Sequence, residues 1–372
     1  MFLLPSAPRP TSVGSTETSN TQSQMGSEVG SEGSTTNRTG PYLEGNLKLL
    51  ATLESPTDVM CCRYSADGSV LAVGLIDGCI KIYSPDTFQL LYSLQDDDTI
   101  SQRLPVTQIR FRIPQREDKQ DSSNILIATY ASGDIKVWYY TSGECLHTQN
   151  EDRQTLCMAL NPTGNHFVTA GSDTKINLYD EHTRKVIRTL EPSDSRDTMD
   201  GHHYRVFALK YHHHNDHVFL SGGWDDTVLY WDERTVHAVR RIHGPHICGD
   251  ALDIDPETDH ILTGSWRRSK VLEIWDFATG TKVKEVPEEP MHTSSLYCCQ
   301  WLGRDSILCG GSDSNMCRII DRGTLNTTGQ LVDLPQGVYC LDNDHSGNNS
   351  QIAVGSNKYI YLVKGEKKGS TR

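Results

Sequence analysis

No stretch of this sequence is apolar enough to cross a membrane. A spanning helix needs roughly 20 consecutive apolar residues, and the apolar runs here are much shorter. Phe2, Leu3 and Leu4 form an apolar start, but Pro5 follows at once, so this start is too short for the core of a secretory signal. We therefore expect a cytoplasmic or nuclear protein with no segment inserted in a membrane.

The motifs that hold phosphates, zinc or a catalytic nucleophile are also missing. The sequence contains no GxxxxGK loop, no GxGxxG turn that opens a helix and no recognisable nucleophile–base–acid pattern. Its 11 cysteines are odd in number and include no CxxC pair, which favours reduced, buried thiols over a disulfide framework or a zinc site. We expect a non-catalytic protein without a metal or another cofactor.

Positive charge is in short supply. Lys and Arg number 35 against 48 Asp and Glu, which gives a net charge of -13 and a pI of about 5.6. A chain with this balance is repelled by phosphate backbones unless a local basic patch intervenes. We therefore expect protein partners and no nucleic acid.

Apolar residues are scarce at the amino terminus. Residues 1–44 are dominated by Ser, Thr, Gly, Pro and Asn, and such a segment buries too little surface to offset its ordering entropy. We expect a disordered tail there, with a phosphorylated or partner-binding tail as the alternative. A short basic tail is expected over residues 365–372, and one folded domain over residues 45–364.

The segment 219–235, FLSGGWDDTVLYWDERT, is the clearest repeated unit of the chain. Its first three residues are strand-like, and Gly222 and Gly223 introduce a tight turn. Residues 227–231 then form a strand rich in β-branched and aromatic side chains, which ends at Trp231. The same order of strand, turn, strand and large apolar residue recurs along the chain, so we expect an all-β protein.

Together with Gly201 and His202 upstream, this unit resembles the blade signature of the WD40-repeat β-propeller family. The residues that end the third strands recur with the period of about 40 to 50 residues that is typical of such blades. They are Tyr83, Trp138, Tyr179, Trp231, Trp275, Ile320 and Tyr361. The resemblance implies a seven-bladed propeller, with six or eight blades as alternatives.

The last blade has only three strand segments of its own, whereas the segment from Asn46 to Leu53 is a strand without a hairpin partner. An unpaired sheet edge exposes backbone donors and acceptors. We therefore predict that the amino-terminal strand completes the last blade and closes the ring.

The resemblance also implies a hydrogen-bonded structural tetrad in the blade that contains this unit. Its members would be His202 or His203, Ser221, Asp225 and Trp231. In the family pattern the carboxylate binds the histidine, the histidine meets the hydroxyl, and the hydroxyl meets the indole nitrogen.

A candidate binding site stands out at the turn between the second and third strands, which in propellers faces the channel entrance. Aligning SGGWDD with TGSWRRS places Trp224 and Trp266 at the same position of neighbouring blades. Tryptophan and arginine often dominate binding energy, and Arg267 and Arg268 offer planar donors to a carboxylate or phosphate.

The loops that enter these two blades add His203, Tyr204, His243 and His246. We hypothesise that this face binds an acidic or phosphorylated peptide of a protein partner, so that the protein is an interaction scaffold. The alternative at this place is that both indoles simply cover the channel mouth.

Asp232 and Arg234 support a second hypothesis. Trp231 to Arg234 resembles the WDxR box of propellers that act as substrate receptors of cullin-type ubiquitin ligases, in which the arginine contacts the adaptor of the ligase. An arginine at an exposed turn is also an ordinary solvated residue. An enzyme that uses the central channel is the third class of function.

Four histidines, His212, His213, His214 and His217, lie close together on a predicted surface loop. Adjacent histidines lack the ligand spacing that encloses a structural metal. We expect a solvated loop, with adventitious metal binding as the alternative.

Overall fold

The computed structural model describes residues 40–114, 124–194, 198, 200–290, 292–347 and 349–366. Almost every regular element in this part of the chain is a β-strand, and the strands form seven sheets arranged as the blades of a propeller. The sequence-based prediction of seven blades is confirmed. Residues 1–39 of the tail predicted to be disordered over 1–44, and most of the predicted basic tail, lie outside the described residues.

The strand bounds follow the chain from blade to blade. Two strands precede the first blade: β1 (Tyr42–Gly45) and β2 (Leu47–Glu54). Blade one contains β3 (Val59–Tyr64), β4 (Leu71–Leu75), β5 (Ile80–Tyr83) and β6 (Leu90–Leu94). Blade two contains β7 (Val106–Phe111), β8 (Ile125–Tyr130), β9 (Asp134–Tyr139) and β10 (Glu144–Asn150). Blade three contains β11 (Thr155–Leu160), β12 (His166–Gly171), β13 (Ile176–Asp180) and β14 (Val186–Leu190). A short helix, α1 (Asp97–Gln102), joins blades one and two.

Blades four to seven complete the ring. They contain β15 (Val206–Tyr211), β16 (Val218–Gly223), β17 (Thr227–Asp232), β18 (Arg240–His243); β19 (Leu252–Ile254), β20 (His260–Gly264), β21 (Leu272–Asp276), β22 (Lys282–Glu285); β23 (Ser294–Leu302), β24 (Ser306–Asp313), β25 (Cys317–Asp321), β26 (Thr327–Val332); and β27 (Val338–Asn343), β28 (Gln351–Ser356), β29 (Tyr359–Gly365). The first strand of each blade is the innermost one and contacts the first strands of the neighbouring blades, including β27 against β3.

The strand β2 is the outer strand of blade seven. The sheet order is β2-β29-β28-β27, and β2 pairs antiparallel with β29 from Leu47 opposite Gly365 to Glu54 opposite Tyr359. This pairing joins the two ends of the folded chain in one sheet. The predicted ring closure is therefore present, because the edge of β29 is covered by the strand that the sequence left without a partner.

The strand β1 was not foreseen. It pairs antiparallel with β26 from Tyr42 opposite Val332 to Gly45 opposite Gly329, and it makes blade six a five-stranded sheet. The side chain of Gln330 also donates to the carboxylate of Glu44. Regular structure thus begins at Tyr42, before the boundary that the sequence placed at residue 45.

Glycines in the second strands mark where neighbouring blades approach most closely. A Cβ on Gly222 would lie 2.3 Å from the Ile247 side chain of the next blade, and one on Gly310 would lie 2.5 Å from Val338. The same contact closes the ring, because a Cβ on Gly355 of blade seven would meet Val59 of blade one at 3.0 Å. These positions of the repeat therefore need glycine, because a larger side chain would clash with the neighbouring blade.

The strand pairing in blade seven corrects one of the residues that were predicted to end the third strands. Trp231 lies opposite Phe219 in blade four, and the equivalent position of blade seven, opposite Ile352, is occupied by Val363. Tyr361, which the repeat alignment suggested, pairs with Val354 instead. The seventh blade therefore ends its third strand with an aliphatic residue, as blade six does with Ile320.

Truncation tests the closure. Removing residues 1–55 deletes β2 and leaves the edge of β29 unpaired, so we expect an aggregating product without a cooperative thermal transition. Removing residues 1–40 keeps every strand that the structure describes and should leave the melting temperature unchanged. Removing residues 1–45 deletes, of those strands, β1 alone and should lower it modestly. A soluble protein that unfolds cooperatively without residues 1–55, as judged by gel filtration and circular dichroism, would contradict this architecture.

Candidate functional site

A chain of four buried side chains organises blade four. Asp225 Oδ2 lies 2.8 Å from Nδ1 of His202, Nε2 of His202 lies 2.5 Å from Ser221 Oγ, and the Trp231 indole donates to the same hydroxyl at 2.7 Å. Because a carboxylate only accepts, His202 donates to Asp225 through Nδ1–H. His202 is thus the histidine of the tetrad, whereas His203 contributes its backbone N–H to Asp225 at 3.0 Å.

Burial on its own would raise the pKa of Asp225. The hydrogen bonds from His202, from the His203 backbone and from the Thr227 hydroxyl outweigh this effect and hold the pKa below its ordinary value. Asp225 is therefore ionised at neutral pH and accepts all three hydrogen bonds.

Ser221, His202 and Asp225 are connected in the same order as a serine-hydrolase triad, yet the arrangement is structural. Both Ser221 and His202 have no exposed surface, so a substrate cannot reach the hydroxyl. The serine oxygen also accepts the Trp231 N–H, which ties it to the core. A nucleophile needs an open approach and a free reacting oxygen.

Other blades replace this tetrad with different polar partners. In blade two the Trp138 indole donates to the Tyr130 hydroxyl at 3.1 Å, and in blade five the Trp275 indole donates to the Thr263 hydroxyl at 2.9 Å. In blade three the hydroxyl of Tyr179 donates to the buried carboxylate of Glu151 at 2.7 Å. These blades therefore rely on polar contacts as well as core packing.

Trp224 and Trp266 occupy equivalent turns on one face of the ring. We call this the top face: it carries the turns between the second and third strands of the blades. The backbone N–H of Trp224 donates to the carbonyl of Arg205 at 3.1 Å, and that of Trp266 donates to the carbonyl of His246 at 2.8 Å. In both cases the acceptor belongs to the loop that enters the inner strand, and both indoles are half-buried.

The indole of Trp224 is held from several sides. Its ring centroid is 5.2 Å from that of Phe207, the guanidinium of Arg205 lies 5.6 Å from it, and its N–H donates to the Cys248 sulfur at 3.0 Å. Burial raises the pKa of the Cys248 thiol to about 12, so the sulfur is neutral at physiological pH. One edge of the indole is fixed while part of its surface faces solvent.

Two tyrosines extend the aromatic surface. The ring of Trp266 lies 6.3 Å from that of Tyr297, which lies 5.0 Å from that of Tyr339. We call Phe207, Trp224, Trp266, Tyr297 and Tyr339 the aromatic row. Sequence reasoning missed its three members on inner strands, although each is the second residue of a Val-Phe, Leu-Tyr or Val-Tyr pair at or near the start of such a strand.

The two predicted arginines differ in their availability. The Arg267 guanidinium donates to the carbonyls of Gly244 and Lys270 at 2.8 and 2.7 Å and pairs with Glu273 at 2.7 Å. Arg267 is therefore occupied in holding its own turn. Arg268 is exposed and makes no hydrogen bond or ion pair with any residue that the structure describes.

The predicted loop residues surround the indoles at different exposures. Tyr204 is 62% exposed and His203 is exposed beside it. His246 Nδ1 lies 2.7 Å from Asp226 Oδ1, so the histidine and carboxylate offset each other. The structure thus places exposed His203, Tyr204 and Arg268 on the face that carries the aromatic row.

The central channel is lined by charges that satisfy one another. Arg63 pairs with Asp250 at 2.8 Å and with Asp342 at 3.1 Å, and Lys210 pairs with Asp253 at 2.7 Å. Arg63, Lys210, Asp250 and Asp253 border a cavity of about 300 Å³ that opens toward the face opposite the top face. Paired side chains of this kind connect blades one, four, five and seven across the channel.

Asp232 and Arg234 form a fork at the rim of blade four. The guanidinium of Arg234 donates to both oxygens of Asp232, at 2.8 and 2.6 Å, and its side chain is 70% exposed. This hydrogen bonding lowers the pKa of Asp232 to about 2. Between them, the buried carboxylate of Glu233 accepts the Tyr211 hydroxyl at 2.5 Å, which fixes the turn that presents Arg234.

The histidine loop is bound to its own surroundings. His213 and His214 each place Nε2 2.8 Å from a backbone carbonyl, and His212 lies 3.2 Å from Asp259. Within the described ranges no group of three or more His, Cys, Asp or Glu is arranged to hold a metal. In the same ranges no helix is long and apolar enough to span a bilayer.

These features define a closed β-propeller with a structured channel mouth. The sequence pattern of the family "WD domain, G-beta repeat" matches residues 47–84, 143–180 and 193–232. The chain belongs to the WD40-repeat family, whose propellers are in general non-catalytic and bind proteins. The first matched segment contains β2 together with three strands of blade one, so the sequence repeat is offset from the blade by one strand.

Several curated proteins are similar to parts of this chain. Cilia- and flagella-associated protein 52 of Chlamydomonas reinhardtii is 24% identical over 60% of the chain and 33% of that protein. Ribosome biogenesis protein YTM1 of Scheffersomyces stipitis is 30% identical over 37% of the chain and 30% of that protein. The anaphase-promoting complex subunit cdh1 of Dictyostelium discoideum is 30% identical over 30% of the chain and 13% of that protein. The chain thus spans a third or less of the length of these relatives.

Removing the Ser221 hydroxyl tests the tetrad. Ser221→Ala leaves both Nε2 of His202 and the Trp231 N–H without a partner, and each buried group left unpaired costs about 1–3 kcal/mol. Thr263→Val is the matched control, because it deprives the Trp275 N–H of its acceptor and otherwise removes only a long hydrogen bond, of 3.4 Å, to the Glu273 carbonyl. Urea unfolding should show a larger loss of unfolding free energy for Ser221→Ala; equal losses would contradict the proposed role of the four-member chain.

Proposed function

We propose that this propeller is a non-catalytic interaction platform whose top face binds an acidic or phosphorylated peptide of a protein partner. The observation that carries the proposal is a pair of half-exposed indoles next to an exposed arginine, Arg268, that has no partner among the described residues, in a chain of net charge -13. Aromatic and arginine side chains are the residues that most often dominate binding free energy.

Local charge supports an acidic ligand. Arg205 lies against Trp224, Arg268 and Lys270 are exposed next to Trp266, and His203 is exposed at the entry to blade four. Asp226, an exposed acid two residues after Trp224, is engaged by His246. A patch of cations on an acidic protein attracts the anionic segments of a partner.

The ring also supports tight recognition by its rigidity. The turns that carry Trp224 and Trp266 are held by backbone hydrogen bonds to neighbouring loops. Side chains that are already ordered lose little conformational entropy when a ligand binds. A cytoplasmic or nuclear setting is part of the proposal and is supported by 11 free cysteines.

The double variant Trp224→Ala, Arg268→Glu tests the site. It removes one aromatic anchor and reverses the exposed charge, so we expect recovery of bound partners from a lysate to fall at least about tenfold. Arg268 is chosen over Arg267 because Arg267→Glu would also break the contacts with Glu273 and two carbonyls.

The matched control is Ile76→Ala, Lys185→Glu. Ile76 occupies the turn position of Trp224 in blade one, and Lys185 is an exposed cation in a turn of blade three. Both doubles should retain the melting temperature of the parent protein. An identical set of recovered partners for the two doubles, compared by quantitative mass spectrometry, would refute the site.

A second candidate function rests on the fork of Asp232 and Arg234. The fork holds an exposed guanidinium in a fixed direction, as a contact with a separate adaptor protein requires. The proposal is that the chain is a substrate receptor of a cullin-type ubiquitin ligase and that Arg234 contacts the adaptor.

Arg234→Ala should abolish co-purification with the propeller adaptor of the ligase and leave stability unchanged, because the side chain is exposed. His182→Ala is the control, since His182 is the exposed residue two positions after the strand-ending Asp180 in blade three. Adaptor binding that survives Arg234→Ala, or that the parent protein lacks, removes this candidate.

A further inference from the structure

The inner strands of most blades contain a β-bulge at the top face. In six blades the ladder between the first and second strands shifts by one residue, which leaves a single bulged residue next to the channel mouth. Bulges re-aim a side chain out of the regular alternation. The bulged residues are Met60, Thr107, Leu156, Phe207, Tyr297 and Tyr339.

These residues divide the mouth into two unlike halves. Blades one, two and three contribute Met60, Thr107 and Leu156, whereas blades four, six and seven contribute aromatic rings. Blade five contributes Trp266 from its turn, which bridges toward Tyr297 at 6.3 Å. The aromatic row therefore covers the channel mouth on one side only, from blade four to blade seven.

The row is accessible. Phe207, Trp224, Trp266 and Tyr339 are each partly exposed, although aromatic side chains of this size are usually placed in a core or at an interface. Exposed aromatic rings grouped on one face are characteristic of an interaction site. The proposed acidic-peptide site uses the two indoles of this row and leaves its tyrosines without a role.

Charge decides what kind of side chain the row accepts. A cationic ligand group would meet Arg205, whose guanidinium already lies 5.6 Å from the Trp224 ring, and the exposed Arg268. The carboxylate of Asp250 below the mouth is engaged by Arg63 at 2.8 Å. The occupant that fits is therefore an uncharged, bulky apolar side chain.

Charge also orients the ligand. The cations lie over blades four and five, whereas Asp58 lies near Tyr339 at the other end of the row. The pKa of Tyr339 is raised first by burial and second by the negative charge of Asp58. An acidic segment is attracted at the first end and repelled at the second. The acidic segment of the ligand therefore lies over blades four and five, and the apolar residue lies beside it on the side of blade seven.

We propose, on the basis of the function proposed above, that the peptide has two parts. Acidic or phosphorylated residues lie against Arg205 and Arg268, and one neighbouring Phe, Tyr, Trp or Leu side chain packs on the partly exposed rings of Trp266 and Tyr339, which the buried ring of Tyr297 joins. The aromatic row is thus a surface for an apolar anchor, and Arg205 and Arg268 select the charge of the residues beside it.

An array of short synthetic peptides tests the anchor. Each peptide carries one varied central residue, with Asp- and Ser-rich flanks in one set, phosphoserine flanks in a second and Lys-rich flanks in a third. The purified full-length protein should bind acidic and phosphorylated peptides about tenfold more strongly with Phe, Tyr, Trp or Leu at the centre than with Ala. It should bind Lys-flanked peptides weakly whatever the central residue.

Two variants separate the anchor from the rim. Tyr339→Ala should reduce binding of Phe- and Leu-centred acidic peptides about tenfold and leave Ala-centred peptides unchanged. Leu156→Ala, at the equivalent bulge on the other half of the mouth, should change neither. Arg268→Glu should weaken all acidic peptides equally, and thermal unfolding of all three variants confirms that they fold.

The outcomes distinguish the two proposals. Binding that depends on acidic flanks and on Arg268 but not on the central residue or Tyr339 overturns the anchor and leaves the acidic-peptide function standing. Binding that prefers a central Lys or Arg overturns the apolar anchor as well. Absence of binding to every acidic and phosphorylated peptide contradicts both proposals.

Discussion

The pairing of β2 with β29 is the constraint on which the rest of the molecule depends. Each blade packs mainly against its two neighbours, so the ring is stable only if the last blade meets the first and has a complete sheet. The pairing runs from Leu47 opposite Gly365 to Glu54 opposite Tyr359. It converts a row of sheets into a closed body whose loops keep fixed positions.

Closure explains why the repeat in the sequence and the blade in the structure are out of step. The matched segment 47–84 starts with the outer strand of blade seven and continues into three strands of blade one. The matched segments 47–84 and 143–180 thus each span two blades. The second-strand glycines then let adjacent blades approach, as between Gly355 and Val59, and this close approach brings turns of different blades together at the channel mouth.

The number of blades and the closing strand could be predicted because both depend on local patterns: hairpin turns, β-branched strands and a regular period of large strand-ending residues. The strand β1 could not, because Tyr42 to Gly45 is short and gains its partner only from blade six. The true equivalent of Trp231 in blade seven, Val363, depends on pairing register, which sequence spacing sets only to within a residue or two.

The candidate site was predictable in part for a related reason. Trp224 and Trp266 are visible in an alignment of turns, but the aromatic row requires knowing that a bulge turns Phe207, Tyr297 and Tyr339 to the same place. The availability of a charge is a still less local property. Arg267 and Arg268 are equivalent in the sequence, yet carbonyls of Gly244 and Lys270 consume the donors of the first.

The same distinction between occupied and available charges holds for the whole protein and accounts for where recognition can occur. Arg63 and Lys210 form ion pairs with carboxylates inside the channel. These pairs connect blades and leave the two cations unavailable to a ligand. Arg234 is exposed at the rim of blade four but pairs with Asp232, whereas Arg268 is exposed at the top face with no partner among the described residues. Because a net charge of -13 repels anionic ligands at long range, the proposed acidic partner needs an available cation, and Arg268 supplies one on the face that carries the aromatic row.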